Sequence, residues 1–167
     1  MKPLRVRQYK AGDDAGYART LLLTLPCKDL VEAGENVQLI VRSASEGSRE
    51  LWVADSRGNS VGFMLLEFDD QKRFIEIDWL DVHPDYQRRG VGTALFMRAE
   101  ESARAQNCQF ITVHTACSNT RMREFGRVNG FEEVDRLHHF WGTGTEDAYL
   151  LRKSLHEQEG NHDSDAM

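Results

Sequence analysis

The chain has 167 residues, a formal net charge of −6, 40% hydrophobic residues and 29% charged residues. This length and composition predict one globular domain and exclude a disordered chain. No apolar run approaches the roughly 20 residues that span a bilayer, and the N-terminus lacks the apolar stretch of a signal peptide, so we expect a cytoplasmic protein without a membrane partner. The acidic charge argues against broad binding of nucleic acids, which requires many phosphate contacts from Lys and Arg.

The first half of the chain predicts two helices and four strands. Asp13 or Asp14 can cap the first helix, and Pro26 ends it. Apolar residues at helical spacing predict the second helix, and short apolar runs between polar turns predict the later strands. In chain order, these elements are a strand over 4–9, the helix that ends before Pro26, a helix over 28–45, and strands over 50–54, 60–68 and 74–82.

The second half predicts a crossover followed by an antiparallel pair. Its elements are a helix over 91–106, a strand over 109–114, a helix from Ser118 or Asn119 to about Val128, and strands over 131–140 and 148–154. The strand-helix-strand order around the first of these helices implies a parallel, right-handed crossover. The whole pattern predicts an α/β (α+β) fold with a mixed, mostly antiparallel sheet of about six to seven strands and about four helices.

The cysteines predict no disulfide and no metal centre. Cys27, Cys108 and Cys117 form no Cys-x-x-Cys pair, so we expect reduced thiols. His114 and Cys117 have a spacing that could chelate a metal ion, but no second pair of ligands accompanies them.

The stretch over 82–95 resembles a phosphate-binding turn, because a strand passes through a glycine-containing loop into an amphipathic helix. The first backbone N–H groups of a helix have no intrahelical acceptor and favour an anion. Gly90 and Gly92 would let the main chain approach a ligand closely. A dinucleotide fingerprint needs glycine or alanine at Leu95, and a Walker loop needs lysine where Thr93 stands, so neither motif fits.

The same stretch resembles a known family. Gln87-Arg88-Arg89-Gly90-Val91-Gly92 matches the Gln/Arg-x-x-Gly-x-Gly/Ala signature of the GNAT N-acetyltransferases, after the common Val-His-Pro-x-Tyr lead-in. Asn119 and Gly130-Phe131 resemble further landmarks of that family. The resemblance implies a single GNAT domain over 1–155, with a sheet splayed at the acetyl-coenzyme A site, and we expect 156–167 to be a flexible tail.

The resemblance also implies which residues bind acetyl-coenzyme A. Main-chain N–H groups over 88–93 would hold the pyrophosphate, and the splayed end of strand 74–82 would contact the thioester and the pantetheine. For Asn119, a cap of the helix and a pantetheine ligand are both open. The expected cofactor-binding residues are Leu80, Asp81, Val82, Gln87, Arg88, Arg89, Gly90, Val91, Gly92, Thr93, Asn119, Phe125 and Gly126.

Acidic residues in strand 74–82 are the candidate bases. A lysine amine with a pKa of about 10.4 is neutral in only about one molecule in 2,500 at pH 7, a deficit of roughly 4.6 kcal/mol, whereas an α-amine loses roughly 1 kcal/mol. Glu76 resembles the glutamate of the family's histone acetyltransferases and is the first candidate, with Asp78 and Asp81 as alternatives. Any of them could instead only attract a cationic substrate. A period of two puts Glu76, Asp78, Leu80 and Val82 on one face and Ile75, Ile77, Trp79 and Asp81 on the other.

One position departs from the family. Many members have a tyrosine four residues before the Gly-Phe pair, as the acid for the thiolate of coenzyme A, whereas this chain has Gly126 after Phe125. A thiol with a pKa near 8.5 can leave without protonation. The small residue suggests close approach of the pantetheine or the substrate, or an early end of the helix. Side chains that could replace the tyrosine are Tyr149, His138, His139 and Cys117.

The resemblance thus implies an N-acetyltransferase that transfers the acetyl group of acetyl-coenzyme A to a primary amine by direct attack. The acceptor would be a small molecule or a peptide, and a homodimer stays open. His138, His139, Phe140 and Trp141 either line the acceptor side or serve packing. The competing interpretation is a coenzyme A-binding sensor or regulatory module without efficient turnover, which the missing tyrosine favours.

Overall fold

The computed structural model describes residues 4–69, 71 and 73–155. The tail predicted over 156–167 lies outside the described residues. The described part forms one seven-stranded sheet in the order β1-β2-β3-β4-β5-β7-β6, with four α-helices on its two faces. The predicted mixed sheet is therefore confirmed.

The elements follow the predicted order, with shifted ends. The predicted strand over 131–140 ends at Leu137, because the chain turns there into a loop in which His139 has a positive φ of 49°. The observed elements are β1 (Arg5–Gln8), α1 (Asp14–Thr24), α2 (Leu30–Ala44), β2 (Arg49–Ser56), β3 (Asn59–Asp69), β4 (Phe74–Val82), a 3-10 turn (Pro84–Tyr86), α3 (Val91–Ala105), β5 (Phe110–Ala116), α4 (Thr120–Val128), β6 (Glu132–Leu137) and β7 (Ala148–Ser154).

Helices α1 and α2 start differently. The Asp29 carboxylate accepts from the backbone N–H groups of Val31 and Glu32 and caps α2. Asp13 precedes α1, but its side chain makes no capping hydrogen bond, which corrects the predicted cap. Its carboxylate instead binds Arg7.

The two faces of the sheet carry separate apolar cores. Helix α3 covers one face, where Leu95 and Phe96 meet buried residues of β3, β4 and β5. Helices α1 and α2 cover the other face, where the ring of Tyr17 stacks on Phe63 with centroids 3.9 Å apart. Among the described residues, no helix is long and apolar enough to cross a membrane.

Strands β4 and β5 pair only briefly before they diverge. Their parallel register runs from Phe74, opposite Phe110, to Glu76, opposite Thr112. Strand β4 stays paired with β3 as far as Val82. A gap therefore opens between β4 and β5 beyond Glu76, as the resemblance implied.

A bulge at Asp78 changes which residues of β4 share a face. Leu66 lies opposite Ile77, and Leu65 lies opposite Trp79, so Asp78 is the extra residue. The predicted alternation is therefore wrong beyond this point. Leu80 and Val82 pack in the α3 core with Ile75 and Ile77, whereas Trp79 and Asp81 lie on the α1 face with Glu76.

Candidate functional site

The loop before α3 has the backbone geometry of an anion site. Arg88 and Gly90 both have positive φ values, 58° and 81°. No atom lies within 4 Å of a Cβ built on Gly90, so its backbone conformation rather than crowding favours glycine there. The first backbone bond in the helix runs from the N–H of Ala94 to the carbonyl of Gly90 at 2.9 Å. The N–H groups of residues 91–93 therefore face outward without intrahelical acceptors.

Gly92 is small for a reason the sequence did not predict. A Cβ on this residue would lie 2.9 Å from Cζ of Phe125 in α4. The ring of Phe125 also packs against Phe96, with centroids 4.7 Å apart. Contact between α3 and α4 thus explains the glycine without a ligand, and Phe125 forms a wall beside the first turn of α3.

The polar side chains before Gly90 have unequal surroundings. The side-chain amide of Gln87 donates to the carbonyl of Val82 at 3.1 Å and ties the loop to the end of β4. The Arg89 guanidinium lies 5.8 Å from the centre of the Tyr86 ring. The side chains of Arg88 and Arg89 are exposed, so both are accessible to an anionic ligand.

The gap edge of β4 offers main-chain groups from alternate residues. The N–H of His83 donates to the carbonyl of Val61 in β3 at 2.9 Å. Because successive residues of a strand direct their N–H and C=O groups to opposite sides, Asp81 also faces β3, and Leu80 and Val82 face the gap. This geometry supports Leu80 and Val82 as predicted. The main-chain groups of Asp81 point away from the gap, so this geometry does not support the same kind of contact for Asp81.

Glu76 lies at the closed end of the gap, in contact with a histidine. Its Oε1 is 2.6 Å from Nδ1 of His114, and both side chains are partly buried. Since Glu76 and Thr112 form the last pair between β4 and β5, His114 stands just beyond the point of divergence. The His114 ring also stacks on Phe140, with centroids 4.2 Å apart and planes at 16°.

Sequence reasoning missed this role of His114 and considered it only as a metal ligand with Cys117. The signals were present. Strand alternation puts Thr112 and His114 on one face of β5, and the parallel crossover puts that strand beside the one that carries Glu76. Only the register, which the sequence did not supply, joins the two side chains. Among the described residues, no group of three or more His, Cys, Asp or Glu side chains could hold a metal ion.

The other two candidate bases have different environments. Asp81 is 8% exposed and accepts a hydrogen bond from the indole N–H of Trp79. Burial raises the pKa of Asp81, partly offset by hydrogen bonds from Trp79 and Thr24. Asp78 is exposed on the bulge, where partial desolvation and then the charge of Glu76 raise its pKa. Neither residue has a histidine partner like that of Glu76.

The landmarks in α4 serve the fold. The Asn119 side-chain oxygen accepts from the N–H of Met122 at 3.1 Å and caps the helix. A Cβ on Gly126 would lie 2.9 Å from Cδ1 of Leu151 in β7. The helix continues to Val128, so an early helix end does not explain this glycine. Packing of α4 on β7 explains it without a ligand.

The four side chains that could replace the missing tyrosine as acids for the thiolate have different environments. The side chain of His138 is 78% exposed, with Nδ1 3.0 Å from Asp147. His139 has its Nδ1 2.6 Å from the carbonyl of Thr145. Cys117 is a free thiol. The ring of Tyr149 packs at the edge of the α3 core.

Comparison with known proteins decides the family. The sequence pattern of the acetyltransferase (GNAT) family matches residues 17–131, more than half of the chain. The chain belongs to the GNAT family. An uncharacterized N-acetyltransferase of Methanocaldococcus jannaschii is 30% identical over 89 residues, which span 50% of this chain and 39% of that protein.

Two solved GNAT structures share the fold. One, from Desulfovibrio desulfuricans, has a TM-score of 0.77 at 18% identity and covers 92% of this chain and 100% of its own. Another, from Elizabethkingia anophelis with acetyl-coenzyme A bound, has a TM-score of 0.70 at 22% identity and covers 93% of this chain and 100% of its own. At these identities the likeness concerns the fold alone.

Proposed function

We propose that this GNAT chain is an N-acetyltransferase that uses acetyl-coenzyme A and acetylates a primary amine by direct attack on the thioester. The observation that carries the proposal is the Glu76–His114 pair at the closed end of the β4–β5 gap. The anion-binding turn before α3 lies at the other end of β4. Glu76 and Val82 are six residue steps apart along β4, about 20 Å at 3.3 Å per step, a distance that an extended pantetheine arm can span.

The residues along this path fit acetyl-coenzyme A. Outward-facing N–H groups over 91–93, with Arg88 and Arg89 beside them, suit a pyrophosphate. The N–H groups of Leu80 and Val82 and the free carbonyl of Leu80 suit the amides and the thioester carbonyl. Fixed donors aimed at the developing oxyanion are the kind of stabilisation that often contributes most to acyl transfer. The nucleophile on this path is the acceptor amine, so no acyl-enzyme is required.

The Glu76–His114 pair can remove the proton that the acceptor amine must lose before it attacks. Glu76 holds Nδ1 of His114 and compensates the charge of the ring when it gains a proton. The second ring nitrogen, Nε2, then accepts the proton of the ammonium group, directly or through water. A lysine-like acceptor makes the larger demand, roughly 4.6 kcal/mol against roughly 1 kcal/mol for an α-amine.

A coenzyme A-binding sensor is the second candidate, and one observation favours it. Gly126 stands where many GNAT members have the tyrosine that protonates the thiolate, and glycine has no side chain that could donate a proton. Tight binding of acetyl-coenzyme A without thiol release across a broad panel of amines would identify a sensor. A cytoplasmic location, a domain over 1–155, a tail over 156–167 and a homodimer stay predictions.

The test measures free thiol released from acetyl-coenzyme A in the presence of a panel of primary amines. We expect His114→Gln and Glu76→Gln to lower kcat by roughly 10²- to 10⁴-fold, the usual contribution of general acid–base catalysis. The affinity for acetyl-coenzyme A should change little, because both side chains lie at the far end of the gap. Glu132→Gln, an exposed change on β6, is the matched control. Full activity in both site variants would contradict this base assignment.

A further inference from the structure

The segment between β6 and β7, residues 138–147, is a tightly organised loop that we call the aromatic loop. The carboxylate of Asp147 joins its two ends, since it binds the side chain of His138 and accepts from the N–H of His139 at 3.3 Å. The N–H of Gly142 donates to the carbonyl of His139 at 2.9 Å. The hydroxyl of Thr145 donates to the carbonyl of Gly142 at 2.7 Å. These bonds hold the residues at the tip of the loop in place.

That tip presents two large apolar side chains to solvent. Phe140 is 40% exposed and Trp141 is 51% exposed. The two rings meet edge to face, with centroids 5.3 Å apart and planes at 82°. The Phe140 ring also stacks nearly parallel on the His114 ring. Contiguous exposed rings next to a catalytic group are typical of a ligand-binding surface, because their hydration is unfavourable and a bound apolar group relieves it.

Negative charge lies beside the rings. Glu76 is bonded to His114, and Asp78 is close enough to Glu76 and His114 for their charges to affect its pKa. Glu67 lies opposite Glu76 on β3, but its charge is compensated by Arg49 at 2.9 Å. The site therefore combines two carboxylates with exposed aromatic faces, and both features attract an ammonium group.

We propose that Phe140 and Trp141 bind the non-reacting part of the acceptor, and that this acceptor is an aralkylamine, a primary amine with an aromatic ring a few bonds from the nitrogen. The inference rests on the proposed function. A ring of that kind would pack against Trp141 while the ammonium group lies near Glu76 and His114. Offset or edge-to-face ring pairs contribute roughly 0.5–1.5 kcal/mol beyond their buried area. Phe140 has a second role as a positioning residue, since its ring stacks on the His114 ring with centroids 4.2 Å apart.

The test compares 2-phenylethylamine with n-butylamine and putrescine as acceptors in the thiol-release assay. We expect kcat/KM for 2-phenylethylamine to exceed both others by roughly tenfold or more, the scale on which an apolar pocket discriminates. Trp141→Ala should remove this preference by raising KM for 2-phenylethylamine, so that kcat/KM falls roughly tenfold more for 2-phenylethylamine than for n-butylamine. Phe140→Leu should instead lower kcat for every amine, because it loosens His114. Leu39→Ala, which removes an exposed apolar side chain of α2, is the matched control.

A wild-type preference for putrescine, or equal losses on all three amines in Trp141→Ala, would overturn the inference. If no amine releases thiol, the proposed function fails. Amine binding then still tests whether the aromatic loop is a ligand-binding surface. In that case, tryptophan fluorescence of the wild type and of Trp141→Phe is titrated with 2-phenylethylamine and n-butylamine. Tighter binding of the aromatic amine, with a signal that depends on Trp141, would support the surface. Equal binding of both amines would refute it.

Discussion

At the scale of single residues, the Glu76–His114 pair shows what a strand position can and cannot reveal. Glu76 is conspicuous in the sequence because an acid in a central strand needs a partner or solvent. His114, 38 residues later, is unremarkable until β5 is aligned with β4. The carboxylate of this pair was therefore predictable, whereas the imidazole, which we propose as the proton acceptor, depends on a register that strand periodicity does not supply.

Tyr149 is the residue we expect to assist departure of the thiolate. Its ring lies beneath the Arg123 guanidinium at 4.4 Å and opposite Arg136 in the register of β6 and β7. A reference phenol has a pKa near 10 and a thiol near 8.5, so full proton transfer to the thiolate is uphill by roughly 2 kcal/mol. The role we expect for Tyr149 is therefore a hydrogen bond to the developing thiolate.

Tyr149→Phe should therefore lower kcat by roughly tenfold, the loss of one hydrogen bond to a charged group, and leave KM for acetyl-coenzyme A unchanged. Steady-state kinetics with a good amine acceptor measures both constants. Cys117→Ser tests the rival donor and should keep kcat near the wild-type value. If Cys117→Ser loses activity and Tyr149→Phe does not, the proton donor to the thiolate is Cys117, in the loop after β5, instead of Tyr149.

At the scale of elements, the bulge in β4 decides the layout of the site. Without it, Leu80 and Val82 would share the face of Glu76, as simple alternation predicts. The extra residue Asp78 returns Leu80 and Val82 to the α3 core. The sequence could predict the strand and its acids but not the bulge. In so short a strand, the order of apolar and polar residues is compatible both with a regular strand and with a strand that contains one extra residue.

The contacts of helix α4 explain two glycines without a ligand. Gly92 and Gly126 both invite a ligand-based explanation, because each occurs in or near a family landmark. The structure places a side chain against each one, Phe125 on Gly92 and Leu151 on Gly126. Close contact between helices or between a helix and a strand therefore explains these two glycines, while the positive φ of Gly90 explains the third.

Gly126→Ala is predicted to destabilise the protein relative to a matched change in α2. Alanine gains about 1 kcal/mol over glycine in a helix interior. At Gly126 the new methyl group meets Leu151, which is only 1% exposed and has little room to move, and overpacking costs roughly 1–3 kcal/mol. Gly34→Ala is the control, because no atom lies within 4 Å of its Cβ and it sits inside α2.

Urea unfolding measures both free energies of unfolding. We expect Gly34→Ala to be more stable than the wild type and Gly126→Ala to be less stable, with kcat and KM of the folded enzyme preserved in both. Adding Leu151→Val to Gly126→Ala should recover part of the loss. An equal increase in the free energy of unfolding at the two glycines would show that Leu151 moves aside without cost. A changed KM for acetyl-coenzyme A in Gly126→Ala would support the explanation that a ligand approaches Gly126.

At the scale of the whole molecule, the strands and helices and their order along the chain were predictable because each element has its own local signal. The glycine turn, the parallel crossover and the final antiparallel pair follow from periodicity and turn residues. The side chains that join distant elements were not predictable in the same way. Asp13 is an example, since its position suggested a helix cap, and its carboxylate instead connects β1, α1 and β3.

The Asp13 cluster should make the fold sensitive to acid. Both carboxylate oxygens accept from the Arg7 guanidinium at 2.8 Å, and they also accept from the Lys10 N–H at 2.9 Å and the Ser60 hydroxyl at 2.8 Å. Burial alone would raise the pKa of Asp13, but these hydrogen bonds lower it below 3.8. A carboxylate with a lowered folded-state pKa stabilises the fold above its unfolded pKa, and that contribution is lost as the pH falls through the folded value.

Asp13→Asn should therefore destabilise the protein most at neutral pH, by roughly 3 kcal/mol, because the partly buried Arg7 then keeps Asp55 as its one charged partner among the described residues. The difference from the wild type should stay constant between pH 5 and 7 and shrink below about pH 4, where the carboxylate first gains a proton in the unfolded wild-type chain. Urea unfolding at a series of pH values measures it. Asp85→Asn, an exposed change in the 3-10 turn, controls for general charge effects. A difference that is independent of pH down to 3 would show that packing, not the charge of Asp13, holds these three elements together.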